Sequence, residues 1–188
     1  MKRLAVLTGG GDAPGMNAAI RAAVRSGASL GFGMFGVRHG CSGLIAGDFL
    51  PLGPRDVGGI LELGGAMLGT SRCPAFVAES GQETAVRQLV QRDISGVVVI
   101  VGNGSQAGAH ALSQRGIAVV GVASTIDNDL AGSDVTLGAT TALGIALEAI
   151  DRLRVTASAL TATALGAVAR AGKPLDPKWL KLARMLAR

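Results

Sequence analysis

A short, uninterrupted run of Val and Ile, preceded by a glycine, occupies Gly96–Val101. This segment limits the fold more than any other, because a brief β-branched run of this kind is typical of a strand buried on both faces. Gly102 ends the run and a helical pattern follows to about Gln114. Arg3–Thr8 is a similar apolar run that ends at Gly9 and precedes another helical segment. Strands alternating with helices predict βαβ units, so we expect an α/β, Rossmann-like three-layer domain with a mostly parallel sheet.

The remaining segments fit the same alternation. The pattern predicts further strands at Gly33–Arg38 and Ile117–Val122, and further helices at Asn17–Ser26, Arg55–Leu63, Glu83–Arg92, Leu137–Arg154 and Trp179–Arg188. Asn17 is predicted as a helix N-cap because its side chain can accept a hydrogen bond from a free backbone N–H. Thr156–Ala171 is rich in Ala and Thr without a strand signal, and Pro174 and Pro177 interrupt the chain after it.

Composition excludes several classes of protein. The chain has 188 residues, of which 48% are hydrophobic and 16% charged, too apolar a mixture for intrinsic disorder. No apolar run approaches the roughly 20 residues of a membrane-spanning helix. Leu4–Leu7 is too short for the apolar part of a signal peptide, so we expect a cytoplasmic protein. With Cys41 and Cys73 as its two cysteines, the chain has neither a disulfide scaffold nor a multi-cysteine zinc site.

The net charge of +5 is concentrated near the carboxyl end. Residues 1–151 carry ten basic and twelve acidic side chains, whereas residues 152–188 carry eight basic and one acidic. Nucleic-acid-binding surfaces interleave basic with aromatic residues. Aromatic residues make up 3% of this chain, and Trp179 is the single one in the basic segment. We therefore interpret this segment as a solvated helical tail, and we expect neither nucleic acid nor a membrane as a partner.

Three polar or glycine-rich loops are predicted at the carboxyl edge of the sheet: Gly9–Gly15, Gly102–Ser105 and Ser124–Asp129. Ligands of open α/β sheets bind beyond this edge. Glycines in the first loop would let backbone N–H groups and the following helix N-terminus approach a phosphate. The spacing is not the dinucleotide-binding fingerprint, because Gly15 comes one residue too late after Gly11, and it is not a Walker A loop. A tight structural turn explains the first loop about as well as a phosphate site does.

Several charged side chains lie in or near these loops. Asp127 and Asp129 are carboxylates separated by one residue, which could hold Mg²⁺ or supply a base, although a solvated Asx turn explains this spacing more often. Arg72 follows a Gly-Thr-Ser segment and could hold a charged oxygen or be an ordinary surface arginine. His39 and His110 have no partner at metal-ligand spacing and are interpreted as structural. Neither cysteine has a base beside it in sequence, so neither is predicted to be a nucleophile.

Taken together, these motifs resemble the 6-phosphofructokinase family in order and spacing. The resemblance covers about residues 2–157 and rests on Leu7–Arg21, Gly69–Arg72, Gly102–Ser105, Thr125–Asp129 and Glu148–Arg154. It implies a phosphofructokinase-type ATP-binding domain over residues 1–157. Residues 158–188 would be a basic, partly helical remnant of the carboxyl-terminal region of the family.

The resemblance also implies ATP as phosphoryl donor, Mg²⁺, and fructose 6-phosphate as acceptor in glycolysis. The residues implied to contact the nucleotide are Gly11, Arg72, Cys73, Gly102, Asn103, Gly104 and Ser105. Asp127 would accept the proton of the sugar hydroxyl, with Thr125 and Asp129 helping to place the substrate and the metal. Arg21, Arg25 and Arg154 match residues that bind an allosteric nucleotide in bacterial members.

Some positions inform the choice of donor and metal. Pyrophosphate-using relatives typically carry Asp at the place of Gly104 and Lys at the place of Ser124, so this chain resembles the ATP type. Asn103 stands where the family usually has an Asp that binds Mg²⁺, which should weaken the metal site because the charge is lost. Cys41 stands where family members usually carry Tyr or Phe.

The resemblance implies that a second α/β domain, which supplies most sugar-phosphate ligands in the family, is largely missing. Two functions therefore stay open: an active 6-phosphofructokinase, or a catalytically weak or inactive nucleotide-binding paralogue that acts as a regulatory or partner subunit. The face that the second domain would cover should be open, and large apolar patches are rare on monomers. We therefore expect a homo-oligomer, or docking of Trp179 and Leu182 onto that face.

Overall fold

Strands and helices alternate along the chain. In the computed structural model the described residues are 1–171, with side chains described for 1–156, 158 and 159. Within this part the strands are β1 (Arg3–Gly9), β2 (Gly33–Val37), β3 (Phe49–Leu52), β4 (Ile94–Val101), β5 (Ala118–Thr125) and β6 (Leu137–Gly138). The α-helices are α1 (Met16–Ser29), α2 (Gly40–Ala46), α3 (Glu79–Gln91), α4 (Asn103–Gln114) and α5 (Ala139–Ala171), and 3-10 turns occupy Ile60–Glu62 and Pro74–Phe76.

The six strands form a mixed, mostly parallel sheet in the order β3-β2-β1-β4-β5-β6. β3 runs antiparallel to β2, and every other neighbouring pair is parallel. The chain moves outward from β1 to β2 and β3, and then crosses to β4 on the other side of β1. The direction of winding therefore reverses between β1 and β4, and the loops after these two strands leave a crevice there. The predicted α/β fold class is confirmed.

Two apolar clusters fill the two sides of the sheet, which is the three-layer arrangement. Successive side chains of a strand point to opposite faces. Leu7 and Val99 therefore join the cluster beneath α2, α3 and α4, whereas Val6 and Ile100 join the cluster beneath α1. Each of these four side chains is at most 2% exposed. Burial of such a side chain stabilises the fold by roughly 1.5–3 kcal/mol.

The predicted N-cap role of Asn17 is wrong. Helix α1 is capped by Gly15, whose φ of +93° is left-handed, and Asn17 lies inside the first turn. Asn17 is buried and links α1 to a distant loop. Its Nδ2 donates to the carbonyl oxygen of Leu63 over 2.9 Å, and its Oδ1 accepts from the N–H of Met67 over 2.7 Å. The tertiary contact thus replaces the local capping bond.

The predicted helix at Arg55–Leu63 is also wrong, since the segment contains only the 3-10 turn Ile60–Glu62. Gly59 takes a left-handed φ of +73° directly before that turn, which an α-helix does not allow. The predicted helix at Leu137–Arg154 begins two residues late, because Leu137 and Gly138 pair with β5, and it continues to Ala171.

The chain divides into two compact units, Met1–Ala142 and Leu143–Arg188. In the second unit the described residues are helical, and Glu148 accepts a hydrogen bond from Arg152 one turn later. The large apolar side chains of this stretch are all more than half exposed, namely Leu143, Ile145, Leu147, Ile150, Leu153 and Val155. No helix of the described residues combines the length and the apolar character needed to cross a membrane. The helix predicted at Trp179–Arg188 and its docking lie outside the described residues.

Candidate functional site

The loops that follow β1 and β4 meet at the point where the winding of the sheet reverses. A Cβ atom built on Gly9 would lie 3.2 Å from Cγ1 of Val101, and one built on Gly10 would lie 3.7 Å from the backbone N of Gly102. Gly10 also has a φ of +83°, which is strained for any residue with a side chain. Glycine suits position 10 because of its backbone conformation, and at position 9 it leaves room beside the Val101 side chain.

The loop after β5 lies at the same edge. A Cβ atom on Gly102 would be 3.4 Å from Cβ of Thr125. Gly138, with φ of +103°, lets β6 approach the first loop so closely that a Cβ there would be 2.9 Å from Cβ of Ala13 and 3.0 Å from the carbonyl oxygen of Pro14. The structure thus brings together the three loops that the sequence placed at one edge.

A cavity of about 420 Å³ opens beside these loops. This volume lies in the range of roughly 300–1,000 Å³ found for small-molecule sites. Four of the predicted nucleotide-binding residues line it, Arg72, Cys73, Gly104 and Ser105. Much of the remaining wall is apolar, with Leu7, Phe76, Val99, Val101 and Leu112 among its residues. Gly11, Gly102 and Asn103 lie on the adjoining loops and are not among the lining residues.

Gly104 and Gly11 are glycines that the protein itself does not require. A Cβ atom at either position would meet no protein atom within 4 Å, and neither has a positive φ. Gly104 lies in the first turn of α4, where glycine is less favourable than alanine by roughly 0.8–1.0 kcal/mol. At a helix N-terminus, backbone N–H groups that no side chain covers can bind a phosphate. Sequence alone left a structural turn equally open at the first loop, and the free space at Gly11 leaves room there for a phosphate.

Arg72 is the charged group on the cavity wall. It is exposed, and its guanidinium has no hydrogen bond or ion pair with any described residue. The preceding residue, Ser71, fixes the segment in place: its Oγ donates to the carbonyl oxygen of His39 over 2.7 Å and lies 2.8 Å from Oγ of Ser42. Ser71 was not predicted from the sequence, because its partners are about 30 residues away and no local pattern connects them.

Asp127 and Asp129 lie in an ordered turn after β5. The N–H of Asp127 donates to Oγ1 of Thr125 over 3.2 Å, and the same hydroxyl lies 3.5 Å from Oδ2 of Asp127. Asn128 takes a left-handed φ of +50°, and its Oδ1 accepts from the N–H of Thr136 over 2.8 Å. The turn is therefore held from both ends, and both aspartates remain exposed. Asn128 and Thr136 are positioning residues that sequence analysis missed.

The described residues contain no group of three or more His, Cys, Asp or Glu side chains that could hold a metal ion. Asn103 and Asp129 are both exposed. This sparse set of oxygen donors fits Mg²⁺, which is usually bound through one or two protein carboxylates together with substrate phosphates.

The residues predicted to bind an allosteric nucleotide are partly brought together. Arg21 and Arg25 lie one turn apart on α1, and Nη1 of Arg21 donates to the carbonyl oxygen of Val57 over 2.9 Å. Arg25 is exposed. Arg154 is exposed on α5 and belongs to the other compact unit.

Two side chains near the edge have unusual surroundings. Ser124 is 1% exposed, and its hydroxyl has no hydrogen-bond partner among the described residues.

Burial, together with the neighbouring Cys73, raises the pKa of the Cys41 thiol from 9.0 to about 11. Desolvation has this effect because it disfavours the charged thiolate.

The fold and the site define an open, doubly wound α/β domain with a small-molecule crevice at its switch point. Its sequence matches the phosphofructokinase family model over residues 3–173. The chain belongs to the phosphofructokinase family.

Individual relatives agree with this assignment. The chain is 52% identical over 158 residues to the ATP-dependent 6-phosphofructokinase of Streptococcus uberis, a match that covers 84% of this chain and 47% of the relative. It is 53% identical over 159 residues to the enzyme of the same name from Thermotoga neapolitana, covering 84% and 50%. The solved phosphofructokinase of Saccharomyces cerevisiae matches with a TM-score of 0.79 and 35% identity, over 85% of this chain and 25% of that one. The chain thus spans about half the length of the curated relatives it matches.

Proposed function

We propose that this protein acts as an ATP-dependent 6-phosphofructokinase, transferring a phosphoryl group from ATP to fructose 6-phosphate. The observation that carries the proposal is the pair of glycines, Gly11 and Gly104, that leave open backbone around the crevice without any requirement of the fold. The names of the curated relatives support ATP as donor and 6-phosphofructokinase as activity. The names of these relatives do not support the alternative of an inactive nucleotide-binding paralogue over this activity.

The nucleotide would lie along the crevice with its two ends in different surroundings. The adenosine part would fill the apolar cavity against Phe76 and Leu112, where burial of its base is favourable. The phosphates would lie against the first turn of α4 near Gly104 and Ser105, where N–H groups and the helix dipole attract negative charge. Arg72 is free to pair with a phosphate oxygen, and arginine suits this role because its guanidinium can donate two parallel bonds.

Asp127 would be the catalytic base. Phosphoryl transfer depends mainly on positioning and charge neutralisation, and requires only a weak base for the acceptor hydroxyl. Asp127 is exposed in the turn after β5, and Thr125 orients it through the hydrogen bonds described above. Asp129 and Asn103 would hold Mg²⁺. When bound, this ion neutralises charge on the transferred phosphate. Because Asn103 is uncharged, we expect the chain to need more Mg²⁺ than a protein with aspartate there.

The same proposal includes the choice of phosphoryl donor, a regulatory nucleotide site and the oligomeric state. Gly104 and Ser124 stand where pyrophosphate-using relatives typically carry charged side chains, which supports ATP. Arg21, Arg25 and Arg154 would bind a regulatory nucleotide. We propose a homo-oligomer, because Val120 of β5 and Ile126, which directly follows β5, are more than half exposed and apolar surface favours association. We also propose that the protein is cytoplasmic.

A coupled assay for fructose 1,6-bisphosphate tests the proposal, using the full chain with ATP, Mg²⁺ and fructose 6-phosphate. We expect turnover that Asp127→Asn lowers by about 10²-fold or more, the scale of a lost general base. Asp93→Asn is the matched control, because Asp93 is exposed, already holds a φ of +54° that asparagine tolerates, and precedes β4 at the opposite edge of the sheet. Saturable ATP binding without any turnover would instead support the inactive paralogue.

A further inference from the structure

Both cysteines of the chain line the same cavity. Cys41 is the second residue of α2, and Cys73 directly precedes the 3-10 turn Pro74–Phe76. Both are free thiols, both are partly buried, and both pack against the same apolar cluster. They are separated by more than 30 residues in sequence, so only the tertiary structure makes them neighbours.

The segments that carry the two cysteines are held together by hydrogen bonds on either side of Cys41. Oγ of Ser71 reaches the carbonyl oxygen of His39 over 2.7 Å and Oγ of Ser42 over 2.8 Å. The N–H of His39 donates to the carbonyl oxygen of Leu68 over 2.8 Å. Since Ser71 lies two residues before Cys73, these bonds place the two thiols on facing segments.

The thiols also influence each other electrostatically. The pKa of Cys41 is raised to about 11, mainly by burial and further by Cys73. At neutral pH Cys41 is therefore almost wholly protonated. The thiolate is the reactive form of cysteine, so we do not expect Cys41 to make the first attack on an oxidant.

We propose that Cys41 and Cys73 form a reversible disulfide in the cavity wall, and that this bond weakens nucleotide binding. The oxidant we propose is a small disulfide such as oxidised glutathione. The Cys73 thiolate attacks one glutathione sulfur, forming a mixed disulfide and releasing one glutathione thiolate. Cys41 then loses its proton and attacks the Cys73 sulfur, releasing the second glutathione. The two thiol protons pass to the two departing thiolates, so the protein is oxidised and glutathione disulfide is reduced.

The expected effect follows from the position of the bond. A disulfide fixes its two sulfur atoms about 2.0 Å apart, much closer than two thiols in contact. Forming it would draw α2 and the Cys73 segment together and displace Arg72, the neighbouring charged group on the cavity wall. A nucleotide in the cavity would in turn keep the thiols apart and protect them. The effect on nucleotide rests on the proposed function, whereas formation of the bond does not.

Oxidised glutathione and intact-mass measurement on the full chain test the inference. We expect the reduced chain to lose both free thiols and two hydrogen atoms of mass, and to recover both with dithiothreitol. Cys41→Ser and Cys73→Ser are the matched controls. Each has one thiol and should stop at a single glutathione adduct or fail to react. Each form is then assayed for ATP·Mg²⁺ binding before and after oxidation, and the wild type should lose at least tenfold in affinity.

The outcomes separate this inference from the proposed function. Glutathione adducts on both cysteines, disulfide-linked dimers on a non-reducing gel, or two persistent thiols would overturn the internal disulfide. An internal disulfide that leaves ATP affinity unchanged would overturn its effect on nucleotide binding. If the reduced chain forms the disulfide but binds no ATP, the proposed function fails while the thiol chemistry stands. Protection of the thiols by ATP·Mg²⁺ supports both.

Discussion

The hydroxyl of Thr136 donates a hydrogen bond to the carbonyl oxygen of Thr125 over 2.7 Å. Thr136 is 2% exposed, and its N–H also donates to Oδ1 of Asn128. One buried threonine therefore ties the start of the turn that carries Asp127 to its middle. The orientation of the proposed base depends on this residue, which itself lies outside the loop.

Thr136→Val should separate the positioning of Asp127 from its chemistry. Valine keeps the shape but loses the hydroxyl, leaving the partly buried Thr125 carbonyl without this partner, at a cost of about 1–3 kcal/mol in stability. We expect kcat to fall with little change in ATP affinity, because the nucleotide crevice is untouched. Thr140→Val is the control, since Thr140 is exposed and should change stability by no more than about 0.5 kcal/mol. Unchanged stability and kcat in Thr136→Val would contradict the role of this bond.

Gly104→Ala should make the protein more stable and less able to bind nucleotide. Replacing a helical glycine that has free space around it stabilises the helix by about 0.5–1 kcal/mol. The added methyl group would occupy the space proposed for a phosphate, so we expect ATP affinity to fall at least tenfold by calorimetry. Gly144→Ala, at another helical glycine with no atom within 4 Å, should leave ATP affinity unchanged. Full ATP affinity in Gly104→Ala would refute the phosphate site at α4.

The raised pKa of Cys41 makes stability depend on alkaline pH. The folded state holds the proton up to about pH 11, whereas the unfolded state releases it near pH 9.0. Between these values the unfolded state binds fewer protons, so this contribution to the free energy of unfolding is fully present below pH 9.0 and is lost as the pH rises toward 11. The loss is at most about 3 kcal/mol.

Denaturant unfolding of the reduced chain at several pH values between 8 and 11 measures this effect. Wild type should lose more stability over the range than Cys41→Ala, in which the titrating group is absent. Cys73→Ala should give an intermediate slope, because burial of Cys41 remains while the neighbouring thiol is gone. Parallel curves for wild type and Cys41→Ala would show that Cys41 titrates normally.

Removing either of two buried hydroxyls near the carboxyl edge of the sheet should have different effects on the stability of the protein. Ser124 has no hydrogen-bond partner among the described residues, so Ser124→Ala removes an unsatisfied group and should leave stability unchanged or raise it by about 1 kcal/mol. Thr8 is fully buried and donates to the carbonyl oxygen of Gly69 over 2.8 Å, so Thr8→Val should cost about 1–3 kcal/mol. Thermal unfolding of both variants provides the comparison, and a destabilised Ser124→Ala would indicate that this hydroxyl is bonded in solution.

Strands β1 and β4 could be predicted from the sequence because their signal is local. An apolar run that ends at a glycine needs no distant partner to be recognised, and both runs match the observed strands to within two residues at each end. α2 and β3 were missed, since Gly40 and Gly43 weaken the helical pattern and Pro51 weakens the strand pattern. The stability of α2 comes from packing against the sheet and that of β3 from pairing with β2, and a local pattern reveals neither.

The sequence by itself determined the fold class and the edge of the sheet at which the three loops gather, because parallel strands place their carboxyl ends on one side whatever the rest of the chain does. The tertiary structure alone decided that Cys41 and Cys73 line one cavity, that Thr136 holds Thr125, and that Asn17 bridges to Leu63 and Met67 instead of capping its helix. These contacts join residues that are 11 to 50 positions apart. Such pairs form only after the backbone has folded and side-chain geometry selects among many possible partners, so no spacing in the sequence encodes them.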